Sequence, residues 1–356
     1  MKNRIQALSD TFETEKLDGY LVANEITILY LTGFLGGARL LTPKEGENVL
    51  YVYGVNHDEA KETAKDCRVK LVKRGEDADL KLADEIKSLK LSRVGFDGVE
   101  ASTYLKLRKA LKGVRLKAQA KLVWELRMVK NETEIRYMRK AAELTDEGMK
   151  VAFETIKAGL REYELAAEME YAMRRLGSGG VAFDTIVASS DRSAFPHGGC
   201  TNRKIRKRDL VVIDVGATYQ HYRADLTRTM TIGKPSPKQA KIYEVLREAQ
   251  ERAFQSVRAG VRAREVDAAA RSLIEEEGYG EYFVHGLGHG VGLEIHEPPT
   301  LGPESKEVLK AGNVITVEPG IYIINFGGVR VEDSVLVHED KAEKLTKAAY
   351  ELMVER

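Results

Sequence analysis

The sequence predicts a mixed α/β (α+β) protein of two domains: a small alternating α/β domain, then a larger one built from two successive helix-helix-strand units. Three observations carry this expectation. The chain has 356 residues, which at roughly 100–200 residues per domain is two domains' worth of polypeptide. Strand-like apolar runs alternate with charged, helix-favouring stretches up to residue 122. From Trp124 onward, long amphipathic helices are followed by strands, and the same order then repeats. The domains are therefore expected over residues 1–123 and 124–356.

In the first domain, GYLVA (19–23), NVLYVYG (48–54), VKLVKR (69–74) and RVGFDG (93–98) read as strands, with helices over 56–66, 77–90 and 101–112. This domain holds one histidine, His57, and no dense acid cluster, so a structural or oligomerising role is expected of it. In the second domain, Asn131 and Glu134 have the spacing of an N-cap with its reciprocal acid. Ile135, Met138, Ala142, Met149 and Phe153 then mark one face of a long helix ending near Gly159. A second helix over 161–176 stops at Gly177, and 181–190 and 210–216 read as strands. Ser236-Pro237-Lys238-Gln239 opens the next helix, which runs to Arg258, and another covers 262–278. Strand-like segments over 283–295, 314–324 and 328–337 complete this half.

Charge and composition exclude several functions. With 56 basic and 55 acidic residues, the chain generates no global field for nucleic acid or an anionic membrane, and neither partner is expected. The basic run Arg203-Lys204-Ile205-Arg206-Lys207-Arg208 has no interleaved aromatics and reads as a solvated loop. No stretch approaches the ~20 apolar residues of a membrane-spanning helix. The start carries charges where a signal peptide has its apolar run, so a cytoplasmic protein is expected. Cys67 and Cys200 are far apart, which leaves a metal to be held by histidines and carboxylates. A charged fraction of 31 % beside 8 Asn and 6 Gln leans toward heat adaptation.

The chemistry concentrates in the second domain. If residues 210–233 form a hairpin turning at Tyr219-Gln220, Asp214 lies directly opposite Asp225, on one face. Two opposed carboxylates repel, and the Val-rich flanks make the strand a buried one, so the segment is frustrated unless a cation lies between them. VHGLGHGVGLEIHE carries His285, His289 and His296, and its glycines clear the space around His289. Glu318 stands among apolar residues before a Pro-Gly turn, and Glu332 follows Arg330, which could satisfy it on the same strand face. Two Asp, two Glu and one His exceed what a single zinc with an open position takes. They suit two adjacent ions such as Mn, Co or Fe(II) sharing carboxylates and a water.

The motifs IDVGA, ADLTRT, LGHGVG, VEPG and RVED, in this order, resemble those of the pita-bread metallopeptidases, the family of prolidases, aminopeptidases P and methionine aminopeptidases. The likeness covers essentially the whole chain, and archaeal-type prolidases are the nearest branch. It implies a creatinase-like N-terminal domain before a pita-bread catalytic domain with pseudo-twofold halves. It also implies Asp214, Asp225, His289, Glu318 and Glu332 as ligands of two divalent ions, with Asp225 and Glu332 bridging. Mn or Co is expected, with Fe or Zn as alternatives. Further implications are Glu318 as proton acceptor, His197 and His296 as substrate-facing donors, His285 beside the pocket and Arg330 as the active-site arginine. For His221, in the turn, no role is expected.

The implied activity is hydrolysis of the Xaa-Pro bond of dipeptides by water activated between the two ions. One departure stands out: many dipeptide-specific members have an Arg beyond the second substrate-facing histidine, where this chain has Thr300. An aminopeptidase acting on longer peptides is the alternative. A metal-free creatinase-like hydrolase and a non-catalytic scaffold are argued against by the five intact motifs. The resemblance further implies a homodimer, with the loop 31–37 bordering the partner subunit's active site.

Overall fold

The computed structural model describes residues 3–355, in two compact units, Met1–Arg127 and Met128–Arg356. The first contains a six-stranded sheet in the spatial order Arg68–Val72, Val49–Tyr53, Arg39–Pro43, Gly19–Val22, Arg93–Phe96, Arg115–Ala118. Arg39–Pro43 pairs antiparallel with both its neighbours, and the outer pairings are parallel. Two of these strands lie outside the expected set: RLLTP lacks a period-two pattern, and RLKA is a short, largely exposed edge. Asp77 caps the helix Ala78–Ser88 by accepting from the amides of Asp79 and Leu80. Leu82, Ile86 and Leu107 from the helices bury against Leu21, Leu41, Tyr51 and Val94 of the sheet. Each such large side chain contributes roughly 1.5–3 kcal/mol of burial.

The second unit has the two expected halves. Asn131 and Glu134 form the capping box of the helix Glu132–Thr155, which pairs with Glu162–Arg175; Ser236 and Gln239 do the same for Pro237–Ser256, which pairs with Ala263–Glu276. The first pair covers a four-stranded sheet, in the order Met353–Val354, Leu226–Ile232, Leu210–Val215, Ile186–Ser189. Its core joins Leu144, Met149, Leu165 and Met169 to Ile213, Val215 and Leu226. The second pair covers a five-stranded sheet, in the order Glu297–Leu301, Gly288–Gly290, Val314–Val317, Asp333–Val337, Ala342–Lys344. Here Leu246, Ala249, Val266 and Ala270 pack on Ile315, Val317 and Val335.

Several local expectations need correction. The long first helix ends at Thr155 because Ile156 turns to extended backbone, and Gly159 instead serves the following turn at φ +92°. Of 283–295, only Gly288–Gly290 is strand, because its glycines weaken strand preference and the ladder shifts register between His289 and Gly290. The segment 314–324 divides at Glu318-Pro319, where proline has no amide to donate. The run at 203–208 is not simply a solvated loop: Ile205 is fully buried and Arg203 pairs with Asp209 at 2.6 Å.

The hairpin between the two aspartates turns at Gln220-His221, one residue later than expected. Both residues have positive φ, 48° and 68°, the pattern of a two-residue type I′ turn. Thr227, not Asp225, therefore lies opposite Asp214. Asp225 falls two positions away on the partner strand, which keeps it on the same face, so the two carboxylates converge diagonally.

Hydrogen bonds stitch the two halves together at this point. Thr229 Oγ1 donates to Arg330 O at 2.9 Å, Glu332 N to Thr227 O at 3.1 Å, and Asp225 N to Ser334 Oγ at 3.1 Å. Arg228, only 1 % exposed, donates to Glu332 O at 2.6 Å and pairs with the fully buried Asp333 at 3.0 Å.

Candidate metal centre

Five strand ends deliver the candidate ligands to one cavity of about 840 Å³. Asp214 comes from Leu210–Val215, Asp225 precedes Leu226–Ile232, His289 lies on Gly288–Gly290, Glu318 follows Val314–Val317, and Glu332 precedes Asp333–Val337. Ligand atoms of Asp225, His289 and Glu332 all lie within 4.8 Å of one another, a group that could hold a metal ion. His289 Nε2 is 3.2 Å from Glu318 Oε1 and 3.7 Å from Asp225 Oδ2. Its Nδ1 is 3.0 Å from Gly290 O, so the Nδ1 proton donates to that carbonyl and Nε2 is the nitrogen aimed at the acids.

Glycine makes this approach possible. A Cβ on Gly288 would fall 2.2 Å from Thr316 O, so only glycine lets the two strands come this close. The same closeness brings Thr316 Oγ1 within 3.0 Å of the His289 amide and 3.1 Å of Glu318 Oε1.

The cluster is electrostatically unfinished as a set of bare acids. Burial, and after it the charge of Asp214, pushes the Asp225 carboxyl well above its ordinary value. Burial, followed by Asp225 and Glu318, does the same to Glu332. Burial also raises Asp214, outweighing the opposing charge of Arg330. For Glu318 and His289 burial is again the largest influence, but their mutual hydrogen bond and charges overcome it, drawing Glu318 down to about 2 and His289 up to about 9. Among the described residues, Asp214 Oδ1 and Glu332 Oε1 are buried oxygens without a hydrogen-bond partner. Orphaned carboxylate oxygens beside an imidazole nitrogen are the donor set of divalent cations, and the residues present fit such a group.

Arg330 departs from its expected partnership. Its guanidinium pairs with Asp214 at 2.5 Å rather than with Glu332, and also donates to Tyr322 Oη at 2.8 Å and Thr227 Oγ1 at 3.0 Å. Glu332 Oε2 instead accepts from Thr227 Oγ1 at 2.6 Å. The hairpin register explains this, because it puts Thr227 where Asp225 was expected and so between the arginine and the glutamate.

The three further histidines line the same cavity. His197 and His296 are exposed at its wall, and the His296 ring meets that of His289 edge-on at 4.4 Å. His285 is half-buried, with Nδ1 2.7 Å from Gly286 O and Nε2 3.1 Å from Tyr322 Oη, and burial lowers its pKa. His221 sits exposed in the hairpin turn.

Residues without a sequence signal hold the loops that carry these histidines. Glu162, fully buried, accepts from the amide and hydroxyl of both Ser189 and Thr201 and from Arg192, bracketing the segment that bears His197. Asp267 accepts from Leu287 N and from Arg271, which itself donates to the carbonyls of Phe283 and His285. In sequence, both acids look like ordinary helix-surface carboxylates.

The chain matches metallopeptidase family M24 over residues 136–339 and the creatinase/prolidase N-terminal domain over residues 4–129. It is 41 % identical to the Xaa-Pro dipeptidase of Pyrococcus furiosus, across 99 % of this chain and 100 % of that one. The crystal structure of the Pyrococcus horikoshii prolidase superposes with a TM-score of 0.92 at 38 % identity, over 99 % of this chain and 100 % of that one. The X-Pro aminopeptidase of Thermotoga maritima superposes at 0.91 with 35 % identity, over the same 99 % and 100 %. The two helix-helix-strand halves, the cluster of carboxylates with one imidazole, and these likenesses agree: the chain belongs to metallopeptidase family M24, with a creatinase/prolidase N-terminal domain.

Proposed function

We propose that this protein is a metal-dependent dipeptidase that hydrolyses the bond between a residue and a following proline, with Asp214, Asp225, His289, Glu318 and Glu332 holding two divalent ions, Mn or Co. The observation that carries the reading is the convergence of four carboxylates and one imidazole in a single cavity, with two buried oxygens orphaned. Four carboxylate charges match the four positive charges of two such ions. When bound, divalent ions acidify a water and polarise the scissile carbonyl.

The chain's own residues do the rest. Glu318, fixed by Thr316, takes the proton of the attacking water and passes it to the leaving proline nitrogen. His197 and His296, at the cavity wall, donate hydrogen bonds to the substrate carbonyl and to the oxyanion that develops from it. Arg330, buried and committed to Asp214, Tyr322, Thr227 and the Pro196 carbonyl, orients Asp214, and Tyr322 links it to His285. A homodimer formed through the first domain is part of the same reading. Val55 is 93 % exposed, and near it Leu35 lies on the loop tied to Asn56 through Gly36. Light scattering that finds an active monomer contradicts that part.

A second reading has a specific observation behind it. Among the described residues, the only arginine lining the cavity, Arg330, is engaged by Asp214, and Thr300 lines the wall without a charge to meet a dipeptide's free carboxylate. An X-Pro aminopeptidase acting on longer peptides needs no such partner. Time-resolved product analysis with Met-Pro, Met-Ala and Xaa-Pro-Xaa peptides, with and without chelator, decides. Metal-dependent cleavage of Met-Pro alone is expected, release from the tripeptide moves the assignment to aminopeptidase, and no cleavage of any Xaa-Pro bond refutes both.

A further inference from the structure

Behind His296 lies an ion pair that no part of the proposed chemistry uses. Lys130 Nζ is 3.3 Å from Glu297 Oε2, and both side chains are 1 % exposed. Lys130 immediately precedes the cap of the helix Glu132–Thr155 and is itself fixed, its amide donating to Gly312 O at 2.8 Å. Glu297 immediately follows His296 and opens the strand Glu297–Leu301.

The pair sits at the root of an irregular excursion. The ladder pairs His289 with Thr300 and then Gly290 with Glu297, so Pro298-Pro299 form a bulge and residues 291–296 are the loop that joins the two strands. Within this loop Gly292 N donates to Glu294 O at 3.0 Å, and Glu294 N donates to Glu297 Oε1 at 3.0 Å. A Cβ on Gly292 would come within 2.5 Å of Glu297 Oε2, so the carboxylate fills the space that this glycine leaves. One carboxylate thus serves as the hub of the excursion, one oxygen holding its backbone and the other facing the lysine. At its C-terminal end, beside Glu297, the excursion presents Ile295 and His296 to the cavity, with the His296 ring against His289.

We propose that Lys130 and Glu297 are positioning residues for His296: the buried pair fixes the excursion 291–296 and thereby the place of the substrate-facing imidazole. This rests on His296 being substrate-facing, as above. A buried ion pair suits such a role, because water does not compete for its two charges.

A double-mutant cycle on the metal-loaded, full-length protein tests the proposal with K130M, H296A and K130M/H296A, measuring kcat and KM on Met-Pro. K130M is expected to lower kcat by roughly 10–100-fold, the usual effect of removing a group that orients an active-site residue, with KM little changed. In the H296A background the same substitution should cost almost nothing; equal losses in both backgrounds overturn the proposal. K130M/E297Q removes both charges of the pair together and should recover the melting temperature but not kcat; recovery of both makes the pair merely structural and also overturns it. The imidazole resonances of His296, followed by NMR, should shift in K130M and stay in place in K130R, a readout independent of turnover. If H296A keeps full activity, the reading of His296 as substrate-facing fails, and these resonances still decide whether the pair positions the ring.

Discussion

Replacing Asp225 with Asn separates the cost of the acid cluster from its use. Ligand oxygens of Asp225 and Glu332 lie within 4.8 Å, and two such charges repel by at least ~3.5 kcal/mol at an effective dielectric near 20. Without a cation this repulsion and burial keep both carboxyls protonated far above their usual range. Asp225→Asn substitutes a neutral side chain of the same shape for one whose charge burial and its neighbours already disfavour, so in chelator the variant should melt at or slightly above the wild type. With metal the order reverses. An ion at 100 times its Kd stabilises by about 2.7 kcal/mol, which for a unit of about 200 residues raises Tm by roughly 5–11 °C. Scanning fluorimetry with chelator and then with Mn or Co should show that rise in the wild type, none in Asp225→Asn, and no metal-dependent hydrolysis by the variant. A variant destabilised equally with and without metal, or one keeping the full metal-induced rise, refutes the assignment of Asp225 as a ligand.

Other outcomes follow from groups around the site and away from it. Asp333→Ala leaves the 1 % exposed Arg228 without its charge partner and strips acceptors from Gln250 and Thr346. A loss of about 3–5 kcal/mol is expected in urea denaturation, and less than 1 kcal/mol would mean that the carbonyls around Arg228 suffice. Glu162→Gln should lower kcat more than it lowers Tm, because it loosens the segment carrying His197; steady-state kinetics beside a thermal melt reads this directly. Asp18, against the cost of its partial burial, is held at about 2 by the hydroxyl and amide of Ser92 and by Arg93. Its folded pKa is depressed, so its contribution, about 2 kcal/mol, is present above pH 4 and lost as pH falls toward 2. Asp18→Asn should therefore be less stable than wild type near pH 7, with the gap closing across that window in acid denaturation.

What the sequence made legible followed from local chemistry. The capping boxes at Asn131 and Ser236 set helix starts through bonds between residues three apart, and they are present where expected. The class of the second unit followed from the repeated helix-helix-strand order. The hairpin register did not follow, because the position of a two-residue turn depends on which residues accept positive φ, and Gln220 and His221 are not turn formers by composition. The partner of Arg330 was missed for the same reason: with the ladder displaced, Asp214 comes within reach and Thr227 intervenes before Glu332. The strand edge at Arg115–Ala118 and the break at Glu318-Pro319 depend on tertiary pairing, which periodicity does not report.

The least legible residues share one physical role. Strands carry the candidate ligands, but His197, His285 and His296 all lie on irregular, glycine-containing segments, whose backbones lose the most entropy on ordering and have no ladder to hold them. Each is tied down by a buried carboxylate: Glu162 for the segment with His197, Asp267 through Arg271 for His285, and Glu297 with Lys130 for His296. Glu162 and Asp267 come from the second helix of the first and second halves, at the first and the fifth residue respectively, so the repeated architecture supplies an anchor from the same helix of each half. An acid buried this way is indistinguishable in sequence from a solvated acid on an amphipathic helix; only the donors gathered around it mark the difference. The precision of the site therefore depends on residues that never touch a substrate. Substitutions at these anchors should divide kcat from stability in a way that substitutions in either hydrophobic core do not.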